Sequence, residues 1–248
     1  MHGGDTAPSP GSQGVGGLPP ATPSTAACGW FGKIASLGDF SARRLPQAFV
    51  SRCDEWLSRG LQASRQQLGE RWLNTYLTAP IWRFAWSPGI AGPHWWLGVM
   101  MPSVDNVGRY FPLIVAQPSA CAPDSGADHA AVQRWMEHVA LAAMSTLQAG
   151  VNVEAFEQQL LAAPAWRASP PVGNPSLHRL IGRDRYEGPP QASLSQWLEG
   201  VAGQNLHTQV QGQSLWWLPD SGHGSGSLSM GPGLPGADQF IELLQGSW

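Results

Sequence analysis

The chain has 248 residues, with 14 Lys+Arg against 17 Asp+Glu for a net charge of −3, 13 Trp and 42% apolar residues. So balanced and charge-poor a chain (12% charged) offers no electrostatic footprint for nucleic acid, while its length is ample for a sizeable buried core. Three widely spaced cysteines, Cys28, Cys53 and Cys121, contain no CxxC pair and exclude a disulfide framework or zinc cluster, and no apolar run nears the roughly 20 residues of a membrane helix.

Residues 1–27 hold six Gly, five Pro and no Lys or Arg. Such a segment cannot offset its ordering entropy by burial, so it is expected to be a disordered tail. It carries neither the basic nor the apolar region of a signal peptide, which points to a cytoplasmic protein. One α/β domain is expected over 28–248.

A first strand is predicted at 29–34, followed by a turn at 36–41. From 47 to 68, Phe49, Val50, Cys53, Trp56, Leu57, Leu61 and Leu68 recur at helical spacing and predict an amphipathic helix. A shorter helix is predicted over 70–78, stopped at Pro80, which has no amide hydrogen to donate.

Three β-type runs follow, at 81–86, 95–101 and 111–117. Neither gap between them holds a crossover helix, so the pairing is predicted to be an antiparallel meander. Helical periodicity returns at 128–148, with Asp128 as a candidate N-cap and Gly150 as a stop, and again at 153–163. The stretch 164–190 is Pro-rich and reads as irregular. A weak helix at 194–201, strands at 214–218 and 227–230, and a short helix at 237–244 complete the chain.

The predicted fold class is mixed α/β: an antiparallel or mixed central sheet covered by helices, a three-layer α-β-α sandwich. Within it, Trp95-Trp96 and Trp216-Trp217 must each place one indole on either face of a strand. A sheet covered on both sides would bury both.

The sequence contains no GxxxxGK[ST] phosphate loop, no GxGxxG between a strand and a helix, no GxSxG and no HExxH. The Gly/Ser run at 222–226 reads as a solvent loop. No cofactor or metal is expected.

Two polar constellations stand out in so charge-poor a chain. The first is Gly32-Lys33 with Gly38-Asp39-Phe40, where Lys33 is the only lysine. The second is the segment 102–112 (PSVDNVGRYFP), a polar loop held between apolar strands. Asp105 can cap amides or accept an arginine there, with Arg83 and Arg109 the candidates, and Gly108 suits a positive φ. A loop-organising role accounts for these residues. A hydrolase using Asp39, Asp105 and Lys33 is the enzymatic alternative, and it requires those groups to converge in a concave pocket.

Residues 29–40 (GWFGKIASLGDF), 79–84 (APIWRF) and 102–113 (PSVDNVGRYFPL), with SLWW at 214–217, resemble the TagF family, also called ImpM, of type VI secretion-associated proteins. The resemblance implies a cytoplasmic, non-enzymatic regulator. It would repress secretion after translation by binding a forkhead-associated-domain scaffold protein. A structural accessory subunit of the secretion apparatus is the further alternative. Recurrent polar positions of the family fall on Lys33, Asp39, Arg83, Ser103, Asp105 and Arg109, which are candidate partner-binding or loop-organising residues.

Overall fold

A computed structural model describes residues 28–123, 126–168, 176–219 and 227–248. The expected tail at 1–27 and the Gly/Ser run at 222–226 lie outside the described residues. In chain order the elements are β1 (Gly29–Gly32), β2 (Ser41–Arg43), α1 (Gln47–Leu68), a 3-10 turn (Gly69–Arg71), α2 (Trp72–Leu77), β3 (Trp82–Trp86), β4 (Trp95–Met101) and β5 (Leu113–Ser119). They continue as α3 (Gly126–Ser145), α4 (Val153–Leu161), β6 (Ser176–Leu180), β7 (Arg183–Glu187), α5 (Leu194–Val210), β8 (Gln213–Trp217), β9 (Leu228–Pro232) and α6 (Phe240–Gln245).

Seven strands form one antiparallel sheet in the order β2-β1-β5-β4-β3-β8-β9. The expected meander is its centre. β8 and β9, from the far end of the chain, extend that sheet beyond β3. Because β4 is covered on both faces, its seven residues WWLGVMM are all buried, as continuous apolar strands generally are.

One face packs against α1, α2 and α6. It collects Trp82, Trp86 and Trp216 with Phe49, Phe84 and Phe240, and the rings sit 4.3–6.4 Å apart in tilted, stacked and edge contacts. Such pairs add to the area each large ring buries. Two of the indole N–H groups find carbonyl acceptors, Trp56 on Pro235 at 2.9 Å and Trp82 on Leu243 at 2.8 Å, whereas the buried Trp86 Nε1 has no hydrogen-bond partner among the described residues. The opposite face packs Trp30, Leu97, Val99 and Val115 against Val139 of α3 and Phe156 of α4. The molecule is therefore the three-layer arrangement expected.

Trp95 and Trp96 are buried in opposite faces, as alternation requires. Trp216 is buried too, but Trp217 is only half-buried because α3 and α4 do not reach that edge of the sheet.

Several local expectations need correction. Residues 176–187 form the hairpin β6–β7, turning at Ile181-Gly182 with Gly182 at φ 77°. Nearly every side chain in it is exposed, so no alternation of apolar and polar residues marked it as paired strands. Helix α5 runs to Val210, nine residues past its expected end. Gly200 and Gly203 weaken its apolar pattern, but its start is fixed by a capping box between Ser193 and Gln196. Asp128 lies in the first turn of α3 and is not its N-cap, because the helix begins at Gly126.

An ionic knot ties the sheet to α4. Glu157 is buried and accepts from the Trp30 indole and from Arg44, whose Nε also donates to the Cys28 carbonyl at 2.9 Å. Burial works against the Glu157 charge, but Arg44 and Trp30 outweigh it and hold the carboxyl below its ordinary range.

Candidate functional site

Strand β1 ends at Gly32, with φ 138°. A Cβ there would collide with the Pro112 carbonyl, so only glycine lets β1 lie this close to the segment entering β5. The next residue, Lys33, is thereby directed into the loop joining β4 to β5, where Val104 and Tyr110 form an isolated bridge.

Asp105 organises that loop. Its Oδ1 accepts from the amides of Arg109 (2.8 Å) and Val107 (3.1 Å), and its Oδ2 accepts from Lys33 Nζ (2.6 Å) and Arg109 Nε (2.7 Å). The backbone closes the same turn through Asp105 N–H to the Arg109 carbonyl and Gly108 N–H to the Asp105 carbonyl, both 3.1 Å. Gly108 takes φ 83°, the left-handed conformation that glycine adopts without a Cβ clash.

The loop is also tied to its neighbours. Ser103 Oγ donates to the Lys33 carbonyl at 2.7 Å. Arg109 Nη2 donates to the Gly38 carbonyl and lies 3.8 Å from Asp39 Oδ1. Asn106 N–H donates to the Leu37 carbonyl at 2.9 Å. Tyr76 of α2 adds a two-way tie, its hydroxyl donating to the Ser103 carbonyl at 2.8 Å and accepting from the Ser103 amide at 2.9 Å. The Lys33 ammonium sits 4.2 Å from the centre of the Phe40 ring, a cation–π contact, and Phe40 meets Phe111 edge-on at 4.7 Å.

Lys33, Asp39, Ser103, Asp105 and Arg109 therefore form one cluster. Arg83 does not join it. It projects from β3 between Val99 and Trp217 on the sheet face that carries α3, and Arg109 supplies the partner to Asp105.

Lys33 and Asp105 are both buried, at 3% exposure each. Burial alone would push the Asp105 carboxyl up. The bonds from Lys33, the Arg109 amide and guanidinium, and the Val107 amide outweigh it and hold the group far below the ordinary carboxylate range. Both oxygens of that carboxylate are already occupied by two donors each, so it has no room to take a proton from a substrate. Chemically the arrangement clamps two loops together.

At the surface the clamp leaves Asp39, Phe40, Val107 and part of Arg109 exposed. Among the described residues no group of three His, Cys, Asp or Glu could hold a metal ion, and no helix is long and apolar enough to cross a membrane.

Sequence reasoning missed Tyr76, whose position near the end of α2 gave no hint of a buried partner 27 residues on. It also missed Glu157, for which a signal existed. Glu157 falls four residues after Val153, inside the stripe of Val153, Phe156 and Leu160 that packs on the sheet.

The TagF N-terminal domain, type VI secretion system-associated, matches residues 29–163. The crystal structure of PA0076 from Pseudomonas aeruginosa PAO1 is similar at 39% sequence identity and a TM-score of 0.71, over 89% of this chain and 94% of that chain. No curated protein matches the chain.

Proposed function

Because this chain belongs to the TagF family of type VI secretion system-associated proteins, we propose that it is a non-enzymatic, cytoplasmic regulator of such a system, acting by binding a forkhead-associated-domain scaffold protein. The docking surface is the pair of clamped loops at 36–41 and 102–110. The observation that carries this reading is the pairing of a rigid, fully bonded base with an exposed apex. Asp105 spends both oxygens within the protein, while Phe40 and Arg109 stand at the surface.

Aromatic and arginine side chains held on a pre-organised loop are the groups that dominate protein–protein affinity. They lose little freedom on binding, because the clamp has already ordered them. The convergence of Lys33, Asp39 and Asp105 would also suit a hydrolase, but a carboxylate saturated with donors favours the docking reading.

The test is titration calorimetry of the purified scaffold against the wild type, Phe40→Ala and Asp39→Arg, two variants altered only at exposed positions. The reading expects Kd to rise at least about tenfold for Phe40→Ala, equivalent to ~1.4 kcal/mol. Unchanged Kd in both folded variants would overturn it.

A further inference from the structure

Arg83 has a different setting from the rest of the polar set. Between the sheet and helices α3 and α5 lies an open cleft of about 1360 Å³. Its floor follows from strand register. Arg83 lies opposite Trp217, and Ala85 opposite Leu97 and Leu215, so these residues share a face. Trp95 continues the same face two residues beyond Leu97 on β4. At ~3.4 Å per residue, the rows from Arg83 to Trp95 span about 14 Å.

The sheet floor is apolar apart from Arg83, which stands at one end of it, while the walls also carry His129, Glu137, Arg179, Asp184 and His207. Its guanidinium is half-buried and donates to the Ile81 carbonyl at 3.0 Å. Among the described residues no carboxylate forms an ion pair with it. Glu137 of α3 lines the same cleft, but it takes its hydrogen bond from Gln133 at 2.9 Å. Burial draws the Arg83 pKa down, with Glu137 opposing, so the cation is held where water solvates it poorly. A desolvated cation that keeps its charge is stabilised by an anion supplied from outside.

We propose that this cleft binds a single-chain amphiphile with a terminal carboxylate, of the fatty-acid class. The carboxylate pairs with Arg83 and the chain lies over Ala85, Leu97 and Leu215 toward Trp95. An apolar floor with one half-buried cation at its end matches the head-and-tail order of such a ligand. The cleft is wider than one chain, so it selects chain length and branching loosely and the carboxylate strictly. The inference does not depend on the docking surface proposed above, which lies on other elements.

The experiment is calorimetric titration of dodecanoate, below its micelle concentration, into the full chain, with dodecan-1-ol as the neutral probe. One saturable site is expected, with dodecanoate weakened at least tenfold in Arg83→Gln and dodecan-1-ol unchanged. Arg83→Lys, which keeps the charge, stays within about threefold of the wild type, and Ala85→Trp, which fills the trough, loses both probes. Melting curves confirm that each variant is folded. No saturable binding, equal loss of both probes in Arg83→Gln, or equal weakening by Lys and Gln would each overturn the proposal. So would binding of an acidic amphipathic peptide in place of dodecanoate.

Discussion

Replacing Tyr76 with Phe isolates one tie of the loop clamp. The ring is fully buried and stacks on Trp72 at 5.0 Å and against Tyr110 at 5.7 Å. Phenylalanine keeps those contacts and opens no cavity. The hydroxyl alone is lost, and with it both bonds to Ser103. The two backbone groups of Ser103 then fare differently. The Ser103 carbonyl still accepts from the Phe111 amide at 3.1 Å, whereas the buried Ser103 N–H has no other acceptor among the described residues.

An orphaned buried donor costs about 1–3 kcal/mol. In a chain of this size each kcal/mol lowers Tm by about 2–4 °C, so Tyr76→Phe should melt about 2–12 °C below the wild type. The urea m-value should stay unchanged, because the surface exposed on unfolding is the same. Hydrogen exchange at the Ser103 amide should accelerate more than at amides in β4. A Tm within about 1 °C of the wild type, with Ser103 as protected as before, would refute the argument that this hydroxyl anchors the loop.

The acid response of Asp105 has a definite sign. Its folded-state pKa is depressed relative to an unfolded value of about 3.9, so the unfolded chain binds the proton first and stability falls as pH drops below ~5. Urea titrations at stepped pH should show the gap between wild type and Asp105→Asn constant from about pH 6 to 8 and shrinking below about pH 4. A gap that widens on acidification would contradict the assignment. The thiols should also separate. Burial pushes the Cys28 pKa up to about 12 and raises that of Cys53 further, while Cys121 is only half-buried. Reaction of the native protein with a thiol reagent should therefore modify Cys121 rapidly, and modify Cys28 and Cys53 only in denaturant. Rapid labelling of Cys53 in the native state would show that α1 opens readily.

How far the sequence reveals this molecule depends on which groups meet nearby in the chain. Helix α1 was bounded correctly at both ends because seven apolar residues repeat on one stripe that packs on the sheet. Strand β4 was bounded correctly because a short unbroken apolar run suits a strand covered on both faces. The Asp105–Arg109 pair is legible as well, since two residues four positions apart in one tight loop can scarcely avoid meeting. Arg83 was not. Period-two alternation says that its neighbours Trp82 and Phe84 point the other way, but it does not say which face of the sheet carries the loop cluster. Tyr76 and Ser103 meet only through the packing of α2 beside the sheet edge, which no local pattern encodes. The β6–β7 hairpin is illegible in the sequence for another reason. It buries so little that its pairing rests on backbone bonds and the turn at Gly182, leaving its residues free of the apolar spacing by which strands are recognised.

Docking of the proposed scaffold on the clamped loops is the central proposal. Hydrogen–deuterium exchange of the full chain, free and saturated with the purified forkhead-associated scaffold, reads that surface directly. New protection confined to 36–41 and 102–110, with the core strands unchanged, is the predicted result. Protection elsewhere on the molecule, with these two segments exchanging as they do in the free protein, would contradict it.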